Sequence, residues 1–308
     1  MHPTSDPRLT RSILPSIIAI AAVALVAGCG DDEEKNTTAA AKPATFAITA
    51  TAEGKKKKAL EFPATVKAGL VTMTLTNSDS VPRSAGIARL VGDHTVDDFL
   101  KAVETDEEGA PIPDWIEDGG GVAAAKPGAT ASVTQVLAPG KYAIADGETK
   151  GGQGEGTTYA QLGAKGEFTV TGDASDAELP AQPATLTATD DGDKEYGFEF
   201  KGFKAGTNKV RFENTGKELH HAIIFPINKG KTIEDAKAAF ASDGPPKGPP
   251  PVDFAKGLGT QVIDGGIAQN IELDLEAGTS YAFVCFIQDR KGGKPHVADG
   301  MIDELAVK

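Results

Sequence analysis

The chain has 308 residues, and 44 acidic against 31 basic side chains give it a formal net charge of −13. This acidic excess makes nucleic acids and anionic lipid surfaces unfavourable partners, because like charges repel. The length exceeds that of one average domain, so we expect two hydrophobic cores. With 36 glycines, 19 prolines and 6% aromatic residues, the composition favours many short strands over long helices, and an all-β fold is predicted.

The N-terminal residues have the pattern of an export signal. Two arginines precede an apolar run over residues 17–27, which is shorter than the roughly 20 residues that a helix needs to cross a bilayer. The run ends in Val26-Ala27-Gly28-Cys29, which resembles the lipobox of bacterial lipoproteins. That resemblance implies a signal peptide over 1–28 and a lipid on Cys29, anchored in the cell membrane at its extracytoplasmic face. The alternative is an ordinary secretory signal with an incidental cysteine.

Two short polar segments follow the predicted signal. Residues 29–44 are polar and alanine-rich, so they cannot bury enough apolar surface to fold and should act as a disordered tether. The basic run Lys55 to Lys58 lies between two segments of alternating hydrophobicity. That position is typical of a solvated hairpin turn rather than of a binding patch.

The rest of the chain consists of two copies of one sequence pattern, offset by about 137 residues. Residues 66–69 recur at 203–206, and the pattern that ends in Asn77 recurs with Asn214 at its end. A repeat of this length indicates a duplicated domain rather than a solenoid unit. The predicted parts are a first copy at 45–172, a linker at 173–183 and a second copy at 184–308.

Each copy is predicted to contain short strands and one helix. Alternating or continuous apolar residues predict strands over 70–76, 209–213 and 222–227. Thr95 and Thr232 each have an aspartate three residues later, an arrangement that caps a helix N-terminus. The helices are predicted over 96–103 and 233–240.

The cysteine count points to an unusual thiol. If Cys29 carries a lipid, Cys285 has no disulfide partner in the chain. An unpaired thiol outside the cytoplasm is accounted for by burial as a small apolar residue, by an intermolecular disulfide or by metal ligation.

Cys285 ends a strand-like pattern, and further candidate ligands follow it. Alternation places Tyr281, Phe283 and Cys285 on one side of a strand, facing the core. Ten residues then precede His296, and four residues separate His296 from Met301. A site shared by Cys285 and His296 requires a hairpin extension over these ten residues that returns His296 to the thiol.

These residues resemble the cupredoxins, the plastocyanin-like blue copper proteins. In that family an Asn-containing turn precedes the first histidine ligand, as Asn214 precedes His220 here. The last long strand of the family has a Gly-x-Tyr-x-Phe-x-Cys pattern, which residues 278–285 match with one inserted residue. The resemblance implies two tandem cupredoxin-like Greek-key β-sandwiches, each with one short inserted helix, and one copper ion in the second. The implied metal ligands are His220, Cys285, His296 and Met301, with His221 as the alternative to His220.

Two imidazoles, a thiolate and a weakly bound thioether form a set that suits copper in both oxidation states. At the aligned positions the first copy has Arg83, Asp146, Tyr159 and Ala164. None of these matches the implied ligand set. We therefore expect the first copy to be structural, a spacer or a docking surface.

The expected function is that of a lipid-anchored copper protein that exchanges single electrons with a redox partner protein, or that handles copper. We expect no catalysis. The alternative is a metal-free cupredoxin-like binding or scaffold lipoprotein. A thiol enzyme built on Cys285 and His296 is disfavoured, because no residue is recognisable as an orienting group or oxyanion site.

Overall fold

The structure is a computed structural model that describes residues 42–54, 57–105, 109–150, 156–190, 196–242 and 248–308. The predicted signal peptide, Cys29 and most of the predicted tether lie outside these residues, as do Lys55 and Lys56. Within the described part of the chain, no helix is long and apolar enough to cross a membrane.

The described residues of the first copy form nine strands and one helix. They are β1 (Ala44–Glu53), β2 (Lys57–Glu61), β3 (Thr65–Lys67), β4 (Gly69–Asn77), β5 (Arg83–Leu90), α1 (Val96–Val103), β6 (Ile116–Ala125), β7 (Thr130–Leu137), β8 (Gly140–Ala145) and β9 (Lys165–Thr171). The five strands β3-β9-β8-β5-β6 form one layer of its sandwich, and β2-β1-β4-β7 form the other.

In the second copy, the part that the structure describes forms eight strands and one α-helix. They are β10 (Ala184–Thr189), β11 (Gly197–Lys201), β12 (Gly206–Asn214), β13 (Ile223–Pro226), α2 (Ile233–Phe240), β14 (Leu258–Gly259), β15 (Ala268–Leu275), β16 (Ser280–Val284) and β17 (Ile302–Ala306). Two 3₁₀ helices cover Phe254–Lys256 and His296–Asp299. The layers are β11-β10-β12-β15 and β14-β13-β16-β17.

The strands form where the sequence alternates. In β4, the side chains of Val71, Met73 and Leu75 are buried in the core of the first copy. On the other face, Thr72 and Thr74 form side-chain hydrogen bonds across to β7 at 2.9 and 3.1 Å. Period-two alternation of this kind is what a strand between core and solvent requires.

Both predicted helices are present with their caps. The Thr95 side chain accepts from the Asp98 amide, and Thr232 accepts from Asp235 in the same way, so each helix begins with a capping box. The all-β class with one short helix in each copy is confirmed.

The two copies pair their strands alike and are joined through one sheet. In each copy the first strand runs parallel to one neighbour and antiparallel to the other. Strand β7 of the first copy pairs with β15 of the second, so the two four-stranded layers form one eight-stranded sheet. At this junction Gln269 donates to the Gln135 side chain at 2.8 Å, and both residues are buried. The exact domain boundaries stay a prediction.

Candidate metal centre

His220 lies between β12 and β13, in a loop that Asn214 fixes. The Asn214 amide donates to the carbonyls of Glu218 and Ile263 at 2.7 and 3.2 Å, and its side-chain oxygen accepts from Gly216 at 2.9 Å. His220 forms an isolated antiparallel bridge with Ile263. Side chains of this type replace missing strand partners in turns. The predicted Asn-containing turn therefore holds the backbone of His220.

Cys285 directly follows β16. Tyr281, Phe283 and Cys285 share one core cluster, whereas Ala282 and Val284 belong to a second cluster. This confirms the alternation predicted for the strand. Cys285 is fully buried and forms no disulfide with any described residue.

The loop after Cys285 doubles back on itself. Gln288 and Pro295 pair as an isolated antiparallel bridge, and the Gly292 amide donates to the Asp289 carbonyl at 2.8 Å. His296 then begins the second 3₁₀ helix with its side chain buried. The expected hairpin is confirmed, because it brings His296 back to the thiol.

Three donor atoms from these segments converge. His220 Nδ1 and His296 Nδ1 lie 3.1 Å apart, and Cys285 Sγ lies 3.8 Å from the first and 3.6 Å from the second. The centre of a triangle with these edges is about 2 Å from each corner, close to the roughly 2.0–2.3 Å of imidazole and thiolate bonds to zinc, a first-row metal ion. Among the described residues, this is the one such cluster of His, Cys, Asp or Glu.

The fold is cupredoxin-like.

Met301 is joined to both Cys285 and His296 by backbone hydrogen bonds. It is fully buried in the same core cluster as Cys285. Its amide donates to the His296 carbonyl at 2.9 Å, and its carbonyl accepts from the Cys285 amide at 3.2 Å. Gly300 directly before it has a φ of 101°, a conformation that favours glycine. Its role as a thioether ligand stays a prediction.

His221 has a different partner from His220. Its Nε2 accepts a hydrogen bond from the Phe286 amide at 2.9 Å. This contact fixes the peptide that follows Cys285, and the three converging donors do not include His221. The geometry therefore favours His220 over His221 as the histidine nearest the thiol.

Each histidine of the cluster donates a hydrogen bond from its other ring nitrogen to a carboxylate. His220 Nε2 lies 3.1 Å from Asp190 Oδ2, and His296 Nε2 lies 3.2 Å from Asp289 Oδ1. The Tyr196 hydroxyl donates to the same Asp289 oxygen at 2.6 Å, and its ring stacks on His296 with centroids 4.3 Å apart. Such contacts set the tautomer and leave Nδ1 available to a metal ion.

These three supporting residues were not found from the sequence. Asp190 and Tyr196 flank a segment between β10 and β11, and Asp289 lies in a turn-like stretch rich in lysine and glycine. Aspartates are common in such turns for local reasons. Their contacts with the histidines depend on where distant loops meet.

Burial favours the neutral forms of these groups in the metal-free protein. Burial, followed by the charge of His296, lowers the pKa of His220 to about 4. Burial lowers the pKa of His296 as well, against the effect of Asp289. Burial raises the pKa of the Cys285 thiol to about 11. The imidazoles are thus already in their ligand form, whereas a metal ion has to displace the thiol proton.

The first copy repeats the backbone of this site around different side chains. Hydrogen bonds run from the Asp146 amide to the Ala164 carbonyl at 3.0 Å and from the Ala164 amide to the Tyr159 carbonyl at 2.9 Å. The second copy has the same two bonds between Cys285 and Met301 and between Met301 and His296. The positions that align in sequence therefore also form corresponding backbone hydrogen bonds in the two copies.

A buried charge cluster takes the place of the metal ligands there. Arg83 Nε donates to Asp146, Arg83 also donates to Asp79 at 2.9 Å, and Lys58 donates to Asp79 at 2.6 Å. The Tyr159 ring faces both cations, at 5.0 Å from Lys58 Nζ and 5.2 Å from the Arg83 guanidinium carbon. The prediction of a solvated turn is wrong for Lys58, which is 6% exposed in β2 because Asp79 neutralises it.

Comparisons with known proteins give solved structures of copper proteins at low similarity. No protein-family model and no curated protein matches the chain. Auracyanin A from Chloroflexus aurantiacus is 19% identical and covers 42% of this chain and 100% of its own, with a TM-score of 0.29. Reduced auracyanin from Roseiflexus castenholzii is 19% identical over 42% of this chain and 97% of its own, with a TM-score of 0.28. Copper nitrite reductase from Nitrosomonas europaea is 18% identical over 87% of this chain and 94% of its own, with a TM-score of 0.26. All three TM-scores are too low to transfer a property to this chain.

The donor set itself fits copper. Two imidazole nitrogens and one thiolate at the corners of a triangle are the arrangement that copper accepts in both oxidation states. The triangle has edges between 3.1 and 3.8 Å and its three residues are buried. The second copy can therefore hold one copper ion.

Proposed function

We propose that this chain is an extracytoplasmic, lipid-anchored protein that binds one copper ion and carries single electrons. Its ligands are His220, Cys285 and His296, with Met301 as a weak fourth ligand. The convergence of two imidazole nitrogens and one sulfur on one buried point supports this function. When bound, copper supplies a reversible one-electron couple.

The chain contributes a site that changes little when an electron arrives. His220, Cys285 and Met301 are 0% exposed, and His296 is 1% exposed. Asp190 fixes the His220 imidazole by a hydrogen bond to Nε2, the ring nitrogen that points away from the cluster. The packed cores around the cluster resist deformation. A site held in this way needs little reorganisation during electron transfer.

Burial favours an electron carrier over an enzyme or a copper-delivery protein. A catalytic metal site needs an open position for substrate or water, and delivery needs ligands that a partner can reach. Tyr196 is partly exposed and stacks on His296. It offers a short route for electrons between the imidazole and a redox partner protein.

A copper titration tests the metal site. Cupric ion added to the reduced, folded chain without residues 1–28 should bind at one ion per chain and give an intense visible band. Cys285→Ser should abolish the band. Cys29→Ser, the matched control, should leave it unchanged, because Cys29 lies outside the second copy. If the reduced parent binds no copper, the metal function is wrong, and the chain is a metal-free binding or scaffold module.

Membrane fractionation tests the anchor. Expressed with its signal in a bacterial host, the full chain should stay with the membrane and partition into detergent. Cys29→Ser should release it into the soluble fraction, whereas Cys285→Ser should not. A Cys29→Ser variant that stays in the membrane would contradict the lipid anchor.

A further inference from the structure

We propose that the first copy is a positioning element for the metal centre: its segment 109–116 holds the ligand loop 286–295 of the second copy in place. The metal part of this role rests on the proposed function. The bracing of the loop is a property of the metal-free chain, and it can be measured without copper.

The segment and the loop are joined by hydrogen bonds at three points along the loop. The Gly293 amide donates to the Gly109 carbonyl at 3.0 Å, and the Ile112 amide donates to the Arg290 carbonyl at 2.8 Å. The Gln288 side chain donates to the carbonyl of residue 110 at 3.1 Å. The loop therefore takes part of its hydrogen bonding from a segment well over a hundred positions earlier.

Arg290 is the centre of this contact. Its guanidinium donates to the carbonyls of Pro113 and Ile116 at 3.4 and 3.0 Å and to the Asp264 carboxylate at 2.5 Å. Its own amide donates to Glu218 at 2.7 Å. A planar guanidinium with several fixed acceptors holds one orientation, which a lysine cannot reproduce.

The contacts of Arg290 with segment 109–116 affect the metal site through the peptide bond between Asp289 and Arg290. Asp289 directly precedes Arg290, and its carboxylate lies 3.2 Å from His296 Nε2. Holding Arg290 therefore holds Asp289, which in turn orients the imidazole. Outer contacts of this kind control metal affinity by about 10–100-fold.

The backbones of segment 109–116 and loop 286–295 approach each other too closely for a side chain at Gly109 or Gly292. A Cβ on Gly109 would lie 2.6 Å from the Gly293 carbonyl oxygen, and one on Gly292 would lie 2.3 Å from the Gly109 carbonyl oxygen. Both distances are shorter than real Cβ contacts, and both neighbours are backbone atoms that cannot swing aside. Gly109 is thus the residue at which the bracing can be tested most directly.

The first test compares Gly109→Ala with Gly128→Ala in the chain without residues 1–28. Both glycines have nearly the same φ, +71° and +72°, so both variants carry the same backbone strain, but a Cβ on Gly128 meets nothing within 4 Å. Amide hydrogen exchange of the metal-free protein should be at least fivefold faster over 286–296 in Gly109→Ala, which corresponds to about 1 kcal/mol. In Gly128→Ala the exchange of this loop should match the parent.

A second variant tests the bracing of the loop independently of whether Gly109→Ala folds. Arg290→Gln, with Arg211→Gln as the surface control, should speed exchange over the same loop and leave the first copy unchanged. Copper should then dissociate at least fivefold faster from Gly109→Ala and Arg290→Gln than from their controls.

Equal loop exchange in each variant and its control would overturn the proposal. So would a loosened loop with an unchanged rate of copper dissociation. A parent that binds no copper would refute the proposed function alone, because the exchange comparison still decides whether the first copy braces the loop.

Discussion

Replacing Asp146 by Asn should destabilise the first copy strongly and leave the metal centre intact. Asp146 is fully buried, and its carboxylate accepts from Arg83, from the amide and hydroxyl of Ser84 at 3.1 and 3.0 Å, and from the Glu148 amide at 3.1 Å. Asn keeps the shape of the side chain but removes its negative charge.

The magnitude follows from the charge balance of the cluster. Lys58 and Arg83 pair with the carboxylates of Asp79 and Asp146, and all four side chains are buried. Burial raises the pKa of Asp146, and the Arg83 guanidinium opposes that shift by favouring the charged carboxylate. The variant leaves one excess positive charge inside the protein. Removing one partner of a buried ion pair costs about 3–5 kcal/mol of unfolding free energy.

Urea unfolding of the metal-free chain at pH 7 measures this loss. The matched control is Glu53→Gln, which breaks an ion pair whose side chains are 65% and 75% exposed, and it should cost at most about 1 kcal/mol. The double variant Arg83→Met with Asp146→Leu should recover part of the loss, because it removes the unpaired charge, while the Ser84 and Glu148 donors still lose their acceptor. A loss below about 1 kcal/mol in Asp146→Asn would refute the reasoning.

Three further predictions concern the second copy. Asp289→Asn should speed copper dissociation by about 10–100-fold, because the support of His296 is weakened, and stopped-flow release to a chelator measures the rate; Asp299→Asn is the control. His221→Leu should lower the unfolding free energy by about 1–3 kcal/mol, because the Phe286 amide loses its acceptor, without changing the copper stoichiometry. In the metal-free chain, burial first and neighbouring histidine charge second hold the pKa of His220 at about 4 and that of His221 at about 3. Stability should therefore be complete above about pH 6.5 and decline below it, by at most roughly 1.4 kcal/mol per pH unit for each histidine.

Distinct results contradict each of these expectations. Equal dissociation rates for Asp289→Asn and Asp299→Asn would remove Asp289 from the support of the site. A His221→Leu chain as stable as the parent would show that its contact with Phe286 is replaceable. A urea midpoint that stays constant between pH 6.5 and 4 would mean that the histidines are not buried in neutral form.

The sequence by itself determined the elements and the position of the thiol. Alternation in β4 and β16, the capping threonines and the internal repeat are local patterns, set by the periods of strand and helix. They place Cys285 at the end of an apolar row and predict a similar fold for both copies.

Only the tertiary structure decided what surrounds each candidate residue. The choice of His220 over His221, the carboxylates behind the two imidazoles and the burial of Lys58 with Asp79 depend on loops that meet in space. Side chains that are distant in sequence have no period that reveals such meetings. The same holds for Arg290, whose contacts with the first copy exist because β7 and β15 join the two copies in one sheet.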